Sequence, residues 1–168
     1  MKIGLLSYRS HPYSGGQGIY IKHLSKALKD LGHHVSVLSG PPYPELDNEI
    51  KLIKIPSLGM FETDNRIKLF SPKLFLSPLD LYEWFTVMTG GFPEPYTYGK
   101  RAYNFLKKNK DSFDVILDNQ CLATSLIDIQ DILPLAVTIH HPITKDHKLE
   151  MESANNWKEK LSSIRWHN

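Results

Sequence analysis

Apolar positions along the chain change period several times, and each change marks an element. Ile3-Gly4-Leu5-Leu6-Ser7 is a short, nearly unbroken apolar run, the pattern of a strand covered on both faces. Tyr8 to Gly16 is loop chemistry, rich in Ser, His, Pro and Gly. From Gln17 to Leu31 the spacing turns helical, with Tyr20, Leu24, Ala27, Leu28 and Leu31 on one stripe and Lys22, Lys26, Lys29 and Asp30 facing away. Gly32 stands where a helix commonly ends on a left-handed residue. Val35-Ser36-Val37-Leu38 is a second strand, closed by Ser39-Gly40-Pro41-Pro42. Strand, loop, helix, turn and strand in that order require a parallel pairing.

Ile50 to Ile55 predicts a third strand, peripheral because Lys51 and Lys54 interrupt it. Residues 56–95 read as an irregular, aromatic-rich insert with a helix inside it. Ser77 is its cap, Pro78 its first residue and Asp80 lies in its first turn, with Leu81, Trp84, Phe85 and Met88 as the inward stripe. A helix from Tyr98 to Lys110 carries Ala102, Phe105 and Leu106 inward and ends in Lys107, Lys108 and Lys110, which suit the negative helix pole. Asp114 to Asp118 is a fourth strand, with Asn119 able to cap the short helix after it, and Leu135 to Ile139 is a fifth. Met151, Ala154, Trp157, Leu161 and Ile164 space out a helical tail. Alternating strands and helices predict an α/β fold, a Rossmann-like doubly wound parallel sheet with helices on both faces.

Composition narrows the classes. The 168 residues, 41% hydrophobic and 23% charged, suit one soluble globular domain over 1–168 rather than a disordered or fibrous chain. Net charge is +2 with no concentrated basic face, which argues against a nucleic-acid partner. The single cysteine, Cys121, excludes an internal disulfide framework and a thiolate zinc cluster, and reads as a packing residue. No run of eighteen apolar residues and no secretory leader is apparent, so a cytoplasmic protein is expected. The aromatic segment with Phe61, Phe70, Phe75, Tyr82, Trp84, Phe85 and Phe92 is mostly packing; a lid or groove for an apolar acceptor and peripheral contact with the inner membrane face are the minority readings.

Ligands of such sheets bind outside the carboxyl ends of the strands, where strand order reverses, here between the first and fourth strands. Gly15, Gly16 and Gly18 follow the first strand, Asp118-Asn119-Gln120 end the fourth, and His140-His141 follow the fifth. These three clusters are expected to meet in one crevice. Glycines before a helix let a ligand reach the backbone, and the helix start offers free N–H groups to a phosphate or diphosphate; a plain tight turn is the competing explanation. Neither the dinucleotide fingerprint nor the P-loop pattern is present, which disfavours a nicotinamide dehydrogenase or a P-loop ATPase. His140 can donate a hydrogen bond or move a proton, or simply satisfy a loop carbonyl. His140, His141 and His147 lack a carboxylate at ligand spacing, so no metal site is assigned.

Gly15-Gly16, the helix end Leu31-Gly32-His33-His34-Val35-Ser36-Val37, and Thr138-Ile139-His140 together resemble the N-terminal domain of family 4 glycosyltransferases, which adopt the GT-B fold. The resemblance follows the element order of nearly the whole chain, and its motifs lie in residues 1–40 and 135–145. It implies retaining transfer of a sugar from a nucleotide-sugar donor to a glycan, lipid or small-molecule acceptor, with no cofactor and no essential metal. By position, Gly15, Gly16 and Gly18 would lie against the donor diphosphate and sugar, and His140 would act at the reacting sugar. Asp118, Asn119 and His141 are acceptor-contact candidates, from crevice position rather than from a motif. Gln17-Gly18 and His141 depart from the family pattern, leaving donor and acceptor identity open. Because the GT-B fold has two Rossmann-like domains, the resemblance implies that the C-terminal nucleotide-binding domain lies outside these residues and that this part alone is inactive. The competing reading is a free-standing module that binds a phosphorylated ligand without chemistry.

Overall fold

The computed structural model describes residues 1–59, 70–140, 142–154 and 156–167. It divides into two compact units, Met1–Gly59 with Pro95–Thr138, and Met60–Glu94 with Ile139–Asn168.

The first unit is a five-stranded sheet, parallel throughout. Its strands are β1 (Lys2–Ser7), β2 (His34–Ser39), β3 (Lys51–Lys54), β4 (Val115–Asn119) and β5 (Leu135–Thr138), in the order β3-β2-β1-β4-β5. Strand order reverses between β1 and β4, the expected switch point, with Leu6 beside Asp118. Successive residues of β1 serve different cores, as period-two alternation dictates. Ile3 and Leu5 join Val35, Val37, Ile50 and Ile21 of helix α1 (Gln17–Asp30). Leu6 joins Leu38 and Ile116, with Tyr98, Ala102 and Leu106 of α3 (Glu94–Lys108) and Leu126 and Ile129 of α4 (Ser125–Gln130). A sheet clad on both sides explains why β1 and β2 read as continuous apolar runs.

The second unit holds a 3-10 turn at Pro72–Leu76, α2 (Pro78–Met88), α5 (Ile143–Ser153) and α6 (Trp157–His167). Ser77 caps α2 as expected, its hydroxyl accepting the Asp80 N–H at 3.3 Å. Phe61 lies outside the described residues.

Several local expectations need correction. The buried line of α1 is Gly18, Ile21 and Ser25, whereas Leu31 is 73% exposed where Gly32 turns the chain at φ +86. Tyr20, Leu24 and Leu28 of the expected stripe do pack, partly buried, against the same core as Ile21; Leu31 leaves it. In α2 the buried residues are Glu83 and Val87, while Phe85 and Met88 are exposed; apolar side chains surround this helix, so its pattern selects no single face. Helix α3 begins at Glu94, ahead of the expected Tyr98, and Phe105 is only partly buried. Asn119 does not cap α4: it ends β4, and Thr124 takes the cap position. The tail is two helices rather than one. Asn156 starts α6 with its side chain, accepting the Glu159 N–H at 3.0 Å and donating to the Glu159 carboxylate at 2.8 Å, a reciprocal cap that opens a new helix.

Candidate functional site

The carboxyl ends of β1 and β2 are locked together beneath the glycine loop. The Tyr98 hydroxyl of α3 donates to Leu38 C=O at 2.6 Å and accepts the Ser7 N–H at 3.1 Å. Its phenol is pushed well above its ordinary range by burial first, then by the nearby Cys121 and Asp118, so it remains a proton donor. Above it runs a chain of buried hydroxyls: Ser39 donates to Ser10 at 3.0 Å, Ser10 to Ser7 at 2.8 Å, and Ser7 to the Arg9 carbonyl at 3.1 Å. Ser10 is held again by its backbone N–H, which donates to Pro42 C=O at 3.0 Å. The loop from Tyr8 to Gly16 thus rises from a rigid base.

The three glycines do different work. Gly15 and Gly16 have φ +78 and +64, and a Cβ built on either would meet nothing within 4 Å. Gly15 C=O accepts the Gln17 N–H across Gly16, a γ-turn whose positive φ side chains rarely adopt. Gly16 C=O accepts the Tyr20 N–H at 2.8 Å, so α1 starts here, with no side-chain cap and no acidic residue in its first turn. The result is bare backbone facing open space at the positive end of a helix, an arrangement suited to an anion. Gly18 is different: it is buried, and a Cβ there would press on the carbonyl oxygens of His11 and Ser10, the latter at 2.6 Å. It lets the loop lie against the first turn of α1.

At the end of β4, Asp118 and Asn119 are 0% and 1% exposed, so a ligand contact from either requires the covering loop to move. That loop passes through Gln120 and Leu122, both at φ +51. Asp118 Oδ2 accepts the Cys121 N–H at 2.9 Å, which folds the loop back over the strand. Its Oδ1 is buried without a hydrogen-bond partner among the described residues. Burial pushes the carboxyl up to about 6, against the pull of the Cys121 and Leu122 amides. Cys121 is buried and its thiol is pushed well up, by burial and then by Asp118, consistent with a packing role rather than a nucleophile.

Thr138 ends β5 in register with Asn119. His140 is exposed and belongs to the second unit, while His141 lies outside the described residues. Among the described residues no three His, Cys, Asp or Glu side chains gather so as to hold a metal ion, and no helix is long and apolar enough to cross a membrane. Sequence reasoning missed Tyr98 and the serine chain, because no motif marks a hydroxyl that bridges two distant strands.

Comparison with known proteins bears on what this crevice serves. The sequence model of Glycosyltransferase Family 4 matches residues 14–167. The MMP alpha-(1->4)-mannosyltransferase of Mycolicibacterium hassiacum is 45% identical over 169 residues, an alignment that covers 99% of this chain and 41% of that protein. With a parallel sheet reversing between β1 and β4 and a glycine loop at that point, the chain belongs to glycosyltransferase family 4.

Proposed function

We propose that this chain is the N-terminal, acceptor-side domain of a retaining glycosyltransferase that moves a hexose, mannose by analogy with the mannosyltransferase relative, from a nucleotide-sugar to a saccharide acceptor. The observation that carries the reading is the exposed backbone at Gly15-Gly16, set at the uncapped start of α1 beside the switch point. A donor diphosphate laid there would exchange hydration for fixed amide dipoles, stabilising negative charge as the sugar–phosphate bond breaks. His140 would present its imidazole to the reacting sugar, bonding a hydroxyl as positive charge develops at the anomeric carbon. Charge on the departing nucleotide would be shared between these amides and a C-terminal domain beyond residue 168, without an essential metal. The mannosyltransferase relative, of which this chain spans 41% of the length, has room for such a domain.

The test is a screen of nucleotide-sugars with α-mannoside acceptors, using a full-length protein that carries this chain. Nucleoside diphosphate release with one donor, and an anomeric proton signal showing the donor's own configuration in the product, is the expected result. An inverted product removes the retaining assignment. No release with any donor removes the transferase reading.

A further inference from the structure

Tyr13 precedes the open glycines by two residues and is 74% exposed, yet its ring is held. Its hydroxyl donates to Glu45 Oε1, on the loop between β2 and β3. Its backbone N–H donates to His11 Nδ1 at 3.1 Å, and the two rings meet edge to face with centroids 6.2 Å apart. His11 is pinned in turn, because its carbonyl lies against Gly18 of α1. The loop carrying Glu45 is tied down independently: Pro42 accepts from Ser10, Lys26 pairs with Asp47 at 3.6 Å, and Lys29 pairs with Glu49. Single exposed aromatics are ordinary on protein surfaces. Tyr13 differs in being tethered at both its backbone and its hydroxyl, two residues before the open glycines, with most of its surface left open.

An aromatic ring fixed in this way loses little entropy on binding and offers a flat apolar face rimmed by polar groups. A hexopyranose is its complement. One face of such a sugar carries C–H groups, weakly positive and apolar, which suit the negative π face. Its hydroxyls lie around the ring edge, where a carboxylate such as that of Glu45 or exposed backbone such as that of Gly15 and Gly16 can bond them. We infer that Tyr13 is a stacking platform for a hexopyranose ring at the lip of the glycine loop, with Glu45 as the residue that sets its orientation. The inference rests on the proposed sugar-transfer reading for the class of ligand, and it adds a saccharide subsite to it. The ring could belong to the acceptor or to the donor; both present the same face.

The test has two arms, with methyl α-mannopyranoside as the saccharide probe in the first. Saturation-transfer NMR on the 168-residue chain should show transfer from tyrosine ring protons to the C–H protons of the probe. Tyr13→Ala should abolish it, Tyr13→Trp should preserve it, and Glu45→Ala should weaken it while the ring remains. Because Tyr13 is mostly exposed, all three variants should melt like the unmodified chain. In the second arm, steady-state rates of the full-length protein are measured with acceptor and donor varied separately. Tyr13→Ala should raise KM about ten-fold for whichever substrate stacks there, an order expected for losing one aromatic contact, and leave the other KM unchanged. Absent ring-proton transfer in the unmodified chain, equal transfer in Tyr13→Ala, or unchanged KM for both substrates overturns the platform. Transfer that depends on Tyr13 in a protein that turns over no nucleotide-sugar upholds the subsite and rejects the transferase reading instead.

Discussion

The backbone N–H of Ser7 donates to the hydroxyl of Tyr98 at 3.1 Å across 91 residues of sequence. The same hydroxyl donates to Leu38 C=O, so one side chain of α3 clasps the carboxyl ends of β1 and β2. The serine chain joins the same two strand ends a second time, through Ser39, Ser10 and Ser7. Replacing Tyr98 with Phe keeps the ring and removes the bridge, leaving the Ser7 N–H and the Leu38 C=O without their buried hydroxyl partner. We expect a loss of roughly 1–3 kcal/mol in urea denaturation, the usual cost of unpairing buried polar groups. A Tyr98→Phe protein as stable as the unmodified chain would show that the clasp is dispensable.

The three glycines should separate cleanly by experiment. Gly15→Ala and Gly16→Ala add a methyl group to open space, so only the positive-φ backbone opposes them, at about 1–3 kcal/mol each. Gly18→Ala drives a methyl group into the backbone of Ser10 and His11, which cannot yield without moving the loop. Its cost should reach about 3 kcal/mol. Denaturation midpoints measured together with donor affinity would separate the roles: Gly16→Val should retain a folded core and lose donor binding, and unaltered binding in that variant would sink the diphosphate assignment.

Asp118 should make stability depend on pH in a defined sense. Its folded value is about 6 against an ordinary 3.8, so between these limits the folded chain holds more protons than the unfolded one. Stability from the neutral, buried carboxyl is full below about pH 4 and is lost as pH rises through about 6. At ~1.4 kcal/mol per pH unit the total loss is on the order of 3 kcal/mol. Asp118→Asn can still accept the Cys121 N–H but does not ionise. The stability difference between the two proteins should therefore swing in favour of the variant from pH 4 to pH 7.5. A difference that stays flat across that range would mean that the carboxyl is not desolvated.

His140 is exposed, so its removal should leave stability within about 0.5 kcal/mol. If it acts at the reacting sugar, His140→Ala in a full-length protein should lower the transfer rate about a hundred-fold or more. The two measurements, a thermal melt and a single-turnover rate, must diverge. An unchanged rate would reduce His140 to a surface residue.

Much of this molecule could be read from its residues in order. The apolar run Ile3 to Ser7, the helical spacing after Gln17 and the Gly32 turn dictate strand, helix and strand, and the helix returns the chain so that the two strands pair in parallel. The switch point between β1 and β4 follows from the usual strand order of such sheets, and the glycines beside it are plain in the chain. What tertiary structure alone decided is which of the polar residues gathered there remain open. Gly15 and Gly16 face space while Gly18 is pressed beneath the loop, although the three look alike in the chain. Asp118, expected to face the crevice, is covered by a loop that its own carboxylate helps to fold. Periodicity records which side of an element is apolar, a property of neighbours a few residues apart. Whether a group at the end of a strand is covered depends on partners such as Tyr98, brought from far along the chain by packing that no local pattern encodes.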